Sequence, residues 1–164
     1  MTYTHNKYEQ YFISSMLILA LLFTASVVHA QSPVPPLGGM ALAEWLQAGH
    51  YKTWQAESAV HGSTGPHFGK VRAFLNPALF DSMNAQSEQH PKGAVAVKEL
   101  YGDGDTVRGW AVAIKIASES SGGSNWHWYE IFDNSTVRDD KGVPLCSGCH
   151  STGRDYVLTP WPLK

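Results

Sequence analysis

The chain lacks a dominant charge of either sign, is poor in cysteine, and has no apolar run of membrane-spanning length beyond its first thirty residues. Twelve Lys plus Arg stand against 14 Asp plus Glu, which leaves no broad positive field to hold phosphates and excludes nucleic-acid binding. Only 2 cysteines occur in 164 residues, so a structural zinc site would have to find two or more of its four ligands elsewhere. What the chain does have is aromatic bulk. Six Trp, seven Tyr and six Phe supply the apolar surface for a packed core and argue against a disordered chain.

The N-terminus reads as an export signal. Lys7 precedes the run Met16-Leu17-Ile18-Leu19-Ala20-Leu21-Leu22-Phe23, and Val28-His29-Ala30 forms a small-residue cleavage site. Residues 1–30 are therefore expected to be a signal peptide, with a retained membrane anchor as the alternative, and the folded part is expected in the periplasm. Residues 31–39 are Pro/Gly-rich and read as an extended tether. Residues 40–164 are then one domain, of a size that buries an ordinary core.

Within that domain Met40 to Gln47 reads as a short helix, with a second helical fragment over Tyr51 to Glu57. Gly69 to Leu75 reads as a strand, and Asn76-Pro77 starts a helix running to Ser87, because asparagine caps and proline suits the first helical turn. Ala94 to Tyr101 and Val107 to Ala117 flank Gly102-Asp103-Gly104-Asp105 and predict an antiparallel hairpin. Asn125 to Phe132, dense in aromatics, predicts a further strand. Alternation gives each hairpin strand a bulky face and a small one. Ala94, Ala96 and Lys98 share a face, as do Gly109, Ala111, Ala113 and Lys115. If the small faces coincide, they leave a shallow space for the rest of the chain or for a flat ligand.

The strongest motif is Cys146-Ser147-Gly148-Cys149-His150. C-x-x-C-H is the attachment signature of c-type haem: two thiols add to the vinyl groups and the adjacent imidazole ligates the iron. This predicts one haem c, joined through thioethers at Cys146 and Cys149, with His150 as the axial metal ligand. A redox C-x-x-C has no use for the adjacent histidine. Zinc would need His150 plus one of His50, His61, His67, His90 or His127 at irregular spacing. A Cys146–Cys149 disulfide closes too small a loop to stabilise much. No methionine follows the motif, which reads against the ordinary small cytochromes that take one downstream, and the hairpin reads against a four-helix cytochrome.

Several segments resemble the cytochrome P-460 family, which includes the cytochromes c-prime-beta. The similarity rests on Lys70-Val71-Arg72-Ala73-Phe74-Leu75-Asn76, on Pro91-Lys92-Gly93-Ala94-Val95-Ala96-Val97-Lys98-Glu99, on Asn125-Trp126-His127-Trp128-Tyr129, and on the haem motif followed by Asp155-Tyr156-Val157-Leu158-Thr159. The resemblance implies an α+β fold: a mainly antiparallel β-sheet with peripheral helices and a C-terminal haem-attachment helix, often as a homodimer. It implies an open iron site that oxidises hydroxylamine with nitric oxide chemistry, passing electrons to an accepting cytochrome, or that only binds gases such as nitric oxide. It also implies that Lys98 matches the lysine which the hydroxylamine-oxidising relatives join covalently to the porphyrin edge.

Those relatives carry a carboxylate base near the iron. The strand Val107 to Ala117 has none, so the catalytic candidate is Glu130, beside Trp126 and Trp128, with Glu99 as the other choice. Met83 is the candidate sixth ligand for a plain electron carrier, although helix methionines are commonly core filler. His61 and His67, flanking a Gly/Pro turn, read as surface loop residues rather than as bis-His ligands of the iron. Phe68, Phe74 and Phe80 are candidates to crowd the iron, and Arg72, Arg108 and Arg154 to pair with haem propionates, against default roles in the core and on the surface.

Overall fold

The computed structural model describes residues 34–67, 69–119 and 122–164; the expected signal peptide, the start of the tether and Phe68 lie outside the described residues. From the N-terminal side the elements are α1 (Gly39–Gln47), a 3-10 turn (His50–Thr53), β1 (Gln55–Ala56), β2 (His61–Gly62), β3 (Lys70–Leu75), α2 (Pro77–Asn84), β4 (Val95–Gly102), β5 (Gly109–Lys115), β6 (Trp126–Phe132), β7 (Ser135–Lys141) and α3 (Pro144–His150). The strands form one antiparallel sheet in the order β1-β3-β4-β5-β6-β7, with β2 also paired to β3. This is the α+β class expected, C-terminal helix included.

Pleating sorts the strand residues onto two faces. Val95, Val97, Val112, Ile114 and Tyr129 pack with Phe74 under Leu42 and Leu46 of α1 and under Tyr51. On the opposite face Leu75, Ala94, Trp126 and Trp128 meet Leu79 and Met83 of α2 and Val157 of the C-terminal segment. Asn76 joins the two layers. Its side chain caps α2 by accepting from the Leu79 N–H at 3.0 Å, also accepts from the Val95 N–H at 2.9 Å, and donates to the Gly93 carbonyl at 2.8 Å.

The structure departs from the sequence-based expectations in four places. The segment Tyr51 to Glu57 is a 3-10 turn followed by β1, not a helical fragment, because Tyr51 is drawn into the core, where its hydroxyl donates to Glu99 at 2.5 Å. Helix α2 stops at Asn84. Gln86 takes a left-handed φ of 54°, and the Ser87 N–H returns to the Ser82 carbonyl, a Schellman closure. The tether is anchored at its end, where the Gly39 N–H donates to Asp139 at 2.6 Å. Strand β7 has no apolar alternation to announce it: all its residues are exposed at the sheet edge.

Candidate functional site

Antiparallel register sets two rows of side chains across the second face of the sheet. Leu75, Ala96, Ala113 and Trp128 are successive cross-strand partners, and so are Ala73, Lys98, Ala111, Glu130 and Arg138. The small faces of β4 and β5 therefore coincide. Four alanines, Ala73, Ala96, Ala111 and Ala113, line a cleft of about 1170 Å3, its open mouth included, between the sheet and the C-terminal segment.

Helix α3 forms the facing wall. Proline at its first turn suits helix initiation, and positions 146, 149 and 150 fall at i, i+3 and i+4, on one helix side. Cys146, Cys149 and His150 all line the cleft, and both cysteines are free thiols, so the disulfide reading is not realised. Burial, the largest cause, raises the Cys146 thiol pKa, with Glu130 adding to it. Among the described residues no three His, Cys, Asp or Glu side chains converge as a metal cage.

His150 is oriented for ligation. Its Nδ1 lies 2.9 Å from the Tyr156 carbonyl, which can only accept, so Nδ1 carries the proton and Nε2 keeps the lone pair. The accepting turn is held from below by a buried ion pair: the Lys115 Nζ meets both Asp155 carboxylate oxygens at 2.8 and 2.6 Å, with side chains 0% and 1% exposed. The His90 N–H also donates to Asp155 at 2.7 Å. Asp155 and Tyr156 both have left-handed φ, 44° and 68°, a conformation this network over-determines.

Lys98 and Glu130 face into the cleft as the alternation predicts, two strands apart with Ala111 between. Lys98 makes no hydrogen bond or ion pair among the described residues, and burial lowers its pKa against the opposing pull of Glu57, Cys149 and Glu130. Burial raises the Glu130 pKa, opposed by Arg138 and Lys98. Glu99 belongs to the other face. It is buried among Tyr51 and Tyr101, whose hydroxyls donate to it at 2.5 and 2.6 Å, and it has no access to the cleft.

Other candidates move as well. His67 is not a surface loop residue: it lines the cleft with its Nδ1 3.6 Å from the Glu130 carboxylate and its ring centroid 6.3 Å from that of His150. Burial first, then Lys98 and His150, lower its pKa to about 4. Met83 and Phe80, both on α2, pack into and against the core of the second face, and Phe74 lies on the α1 face. Arg108 pairs with Asp133, and the Arg72 Nε donates to the Glu57 carbonyl at 2.8 Å. Among the described residues the cleft-lining arginine is Arg138, which sequence reasoning missed together with β7.

The residues present suit a covalently held haem. The alanine floor admits a flat group, the thiols and the His150 Nε2 lie on one wall, and the Trp128 indole N–H is buried without an acceptor. Val137, Leu145 and Leu158, exposed by 41%, 68% and 40%, leave an apolar rim that such a group would cover. No family model and no curated protein matches the chain.

Proposed function

We propose that this chain is an exported monohaem c-type cytochrome of the cytochrome P-460 type, which binds or oxidises small nitrogen compounds such as hydroxylamine and nitric oxide. The observation that carries the proposal is the convergence, on the wall of one alanine-floored cleft, of Cys146, Cys149 and a His150 whose Nδ1 is held by a backbone carbonyl. The C-x-x-C-H spacing supplies the specificity.

Haem, when bound, supplies a redox-active iron able to take a small ligand. The chain's own residues divide the remaining work. Cys146 and Cys149 tether the group, and the Tyr156 carbonyl sets the tautomer and orientation of His150. The alanines leave room, and the apolar wall limits water near the reacting position. Among the described residues Glu130 is the one carboxylate on the cleft wall; its raised pKa brings it closer to neutral pH, where a base for an N–H or O–H proton works best. Lys98, shielded from water, is biased toward the neutral amine that covalent attachment to a porphyrin edge requires. An exported cytochrome would accept the electrons.

A second reading, a gas-binding protein without turnover, is favoured by the largely apolar cleft wall, on which Glu130 is the one carboxylate among the described residues. Mass spectrometry of a peptic digest of the exported protein separates the two. Haem on the Cys146–Cys149 peptide is expected, abolished in Cys146→Ser with Cys149→Ser. A third link to a Lys98 peptide, with hydroxylamine turnover, marks the enzyme; haem on the cysteines alone, without turnover, marks the gas binder. Free thiols in protein matured with haem available would overturn both.

A further inference from the structure

The reading above leaves His67 without a role, although among the described residues it is the one imidazole besides His150 that lines the cleft. Its ring centroid lies 6.3 Å from that of His150, with the ring planes 71° apart. Metal–imidazole bonds are about 2 Å long, so two imidazoles on opposite sides of a single metal atom have centroids on the order of 6 Å apart. A histidine that only lined the distal side, with a ligand between it and the metal, would sit farther away. The His150 Nδ1 is taken by the Tyr156 carbonyl, which leaves its Nε2 as the coordinating atom, and the His67 ring presents its Nδ1 side to Glu130 at 3.6 Å. The other candidate sixth ligand, Met83, is 6% exposed within the core and does not line the cleft.

We infer that His67 is the second axial ligand of the iron that His150 holds, so that the sixth position, open in the family this chain resembles, is here closed by the chain in the resting protein and a small ligand enters by displacing it. The inference rests on the haem reading of the cleft. His67 can yield where Met83 could not, because it follows an exposed turn, Thr64 to Pro66, held by local bonds: the Ser63 N–H donates to the Gly69 carbonyl at 2.8 Å and the Gly65 N–H to the Ser63 hydroxyl at 3.2 Å. Displacement leaves the proximal side, pinned by Lys115 and Asp155, undisturbed. Access to the iron is then set by how often this turn opens.

The test begins with the pyridine haemochrome of the purified protein; its absence would overturn the haem reading and this inference with it. With haem present, pulsed electron paramagnetic resonance of the ferric wild type is expected to show a low-spin iron coupled to two imidazoles. A high-spin iron, or one imidazole only, would overturn the role of His67 and leave the haem reading intact. His67→Ala is expected to turn the ferric spectrum high-spin, added imidazole to restore it, and nitric oxide to bind on the order of tenfold tighter or more, since apparent affinity is reduced by the fraction of protein with the position closed. A His67→Ala spectrum identical to wild type would also overturn the inference. Should that variant not fold, the imidazole count in the wild type decides alone.

Discussion

On the α1 face of the sheet every bulky strand residue meets a partner. Val95, Val97, Val112 and Ile114 close on Leu42, Leu46 and Tyr51, and the charged residue there, Glu99 at 2% exposure, accepts from two tyrosine hydroxyls while Trp110 donates to one of them at 2.8 Å. The side chain of its neighbour Lys98, one residue away and on the opposite face, is shielded in the cleft with no hydrogen-bond or ion-pair partner among the described residues, and the indole N–H of Trp128, which also lines that cleft, has no acceptor. The difference is between surface whose polar groups fold has already satisfied and surface whose polar groups are held for something else. Buried groups left unmet cost stability, so the second face reads as the working one. On that face a buried pair, Lys115 with Asp155, joins the C-terminal segment to the sheet.

That contrast can be broken first at the seam. Asp155→Ala removes the carboxylate beside the buried Lys115 ammonium and should cost about 3–5 kcal/mol, measured by urea unfolding. A loss below about 1 kcal/mol would mean that the pair behaves as an exposed one. Leu42→Ala, at 0% exposure on the filled face, should cost about 2–5 kcal/mol, whereas Leu158→Ala on the cleft rim should stay within about 0.5 kcal/mol. Equal losses would erase the distinction between the faces.

Glu130 sharpens the comparison through pH. Burial raises its pKa, so the folded state holds this proton more tightly than the unfolded chain does. Its contribution to stability is therefore fully present below the ordinary glutamate pKa and is lost as pH rises through the raised one. Urea midpoints across that range should fall with pH in the wild type and fall less in Glu130→Gln; identical profiles would place Glu130 in water. If Glu130 also serves as base, hydroxylamine turnover should rise through the same pH range and lose that limb in the variant. The smallest effect belongs to Arg108→Ala, which opens an exposed pair with Asp133 and a stack on Phe132 and should cost under about 1 kcal/mol by thermal unfolding.

Much of the working face was legible before the fold was seen. Alternation alone put Lys98 with Ala94 and Ala96, and Ala111 with Ala113, and the cross-strand register then brought those small faces together. The same rule separates Glu99 from Lys98, since adjacent strand residues point to opposite sides. Strand β7 was not legible, because an edge strand exposed on both sides carries no periodic apolar signal. Arg138 was lost with it. His67 was misread because a Gly/Pro turn reports that the chain reverses there, not which wall the turn lies against.

What the sequence determined by itself were properties of short stretches: the thiol and imidazole spacing that puts Cys146, Cys149 and His150 on one helix side, the Asn76-Pro77 start of α2, and the bulky and small faces of the hairpin. Each depends on residues within about a helical turn or a strand's length of one another, where local geometry dictates the outcome. The tertiary structure decided which distant groups meet: Lys115 with Asp155, Glu99 with Tyr51, and His67 with Glu130 and His150. Those pairings follow from sheet register and from how the C-terminal segment packs, and pairwise contacts between remote segments leave no spacing in the sequence from which to read them.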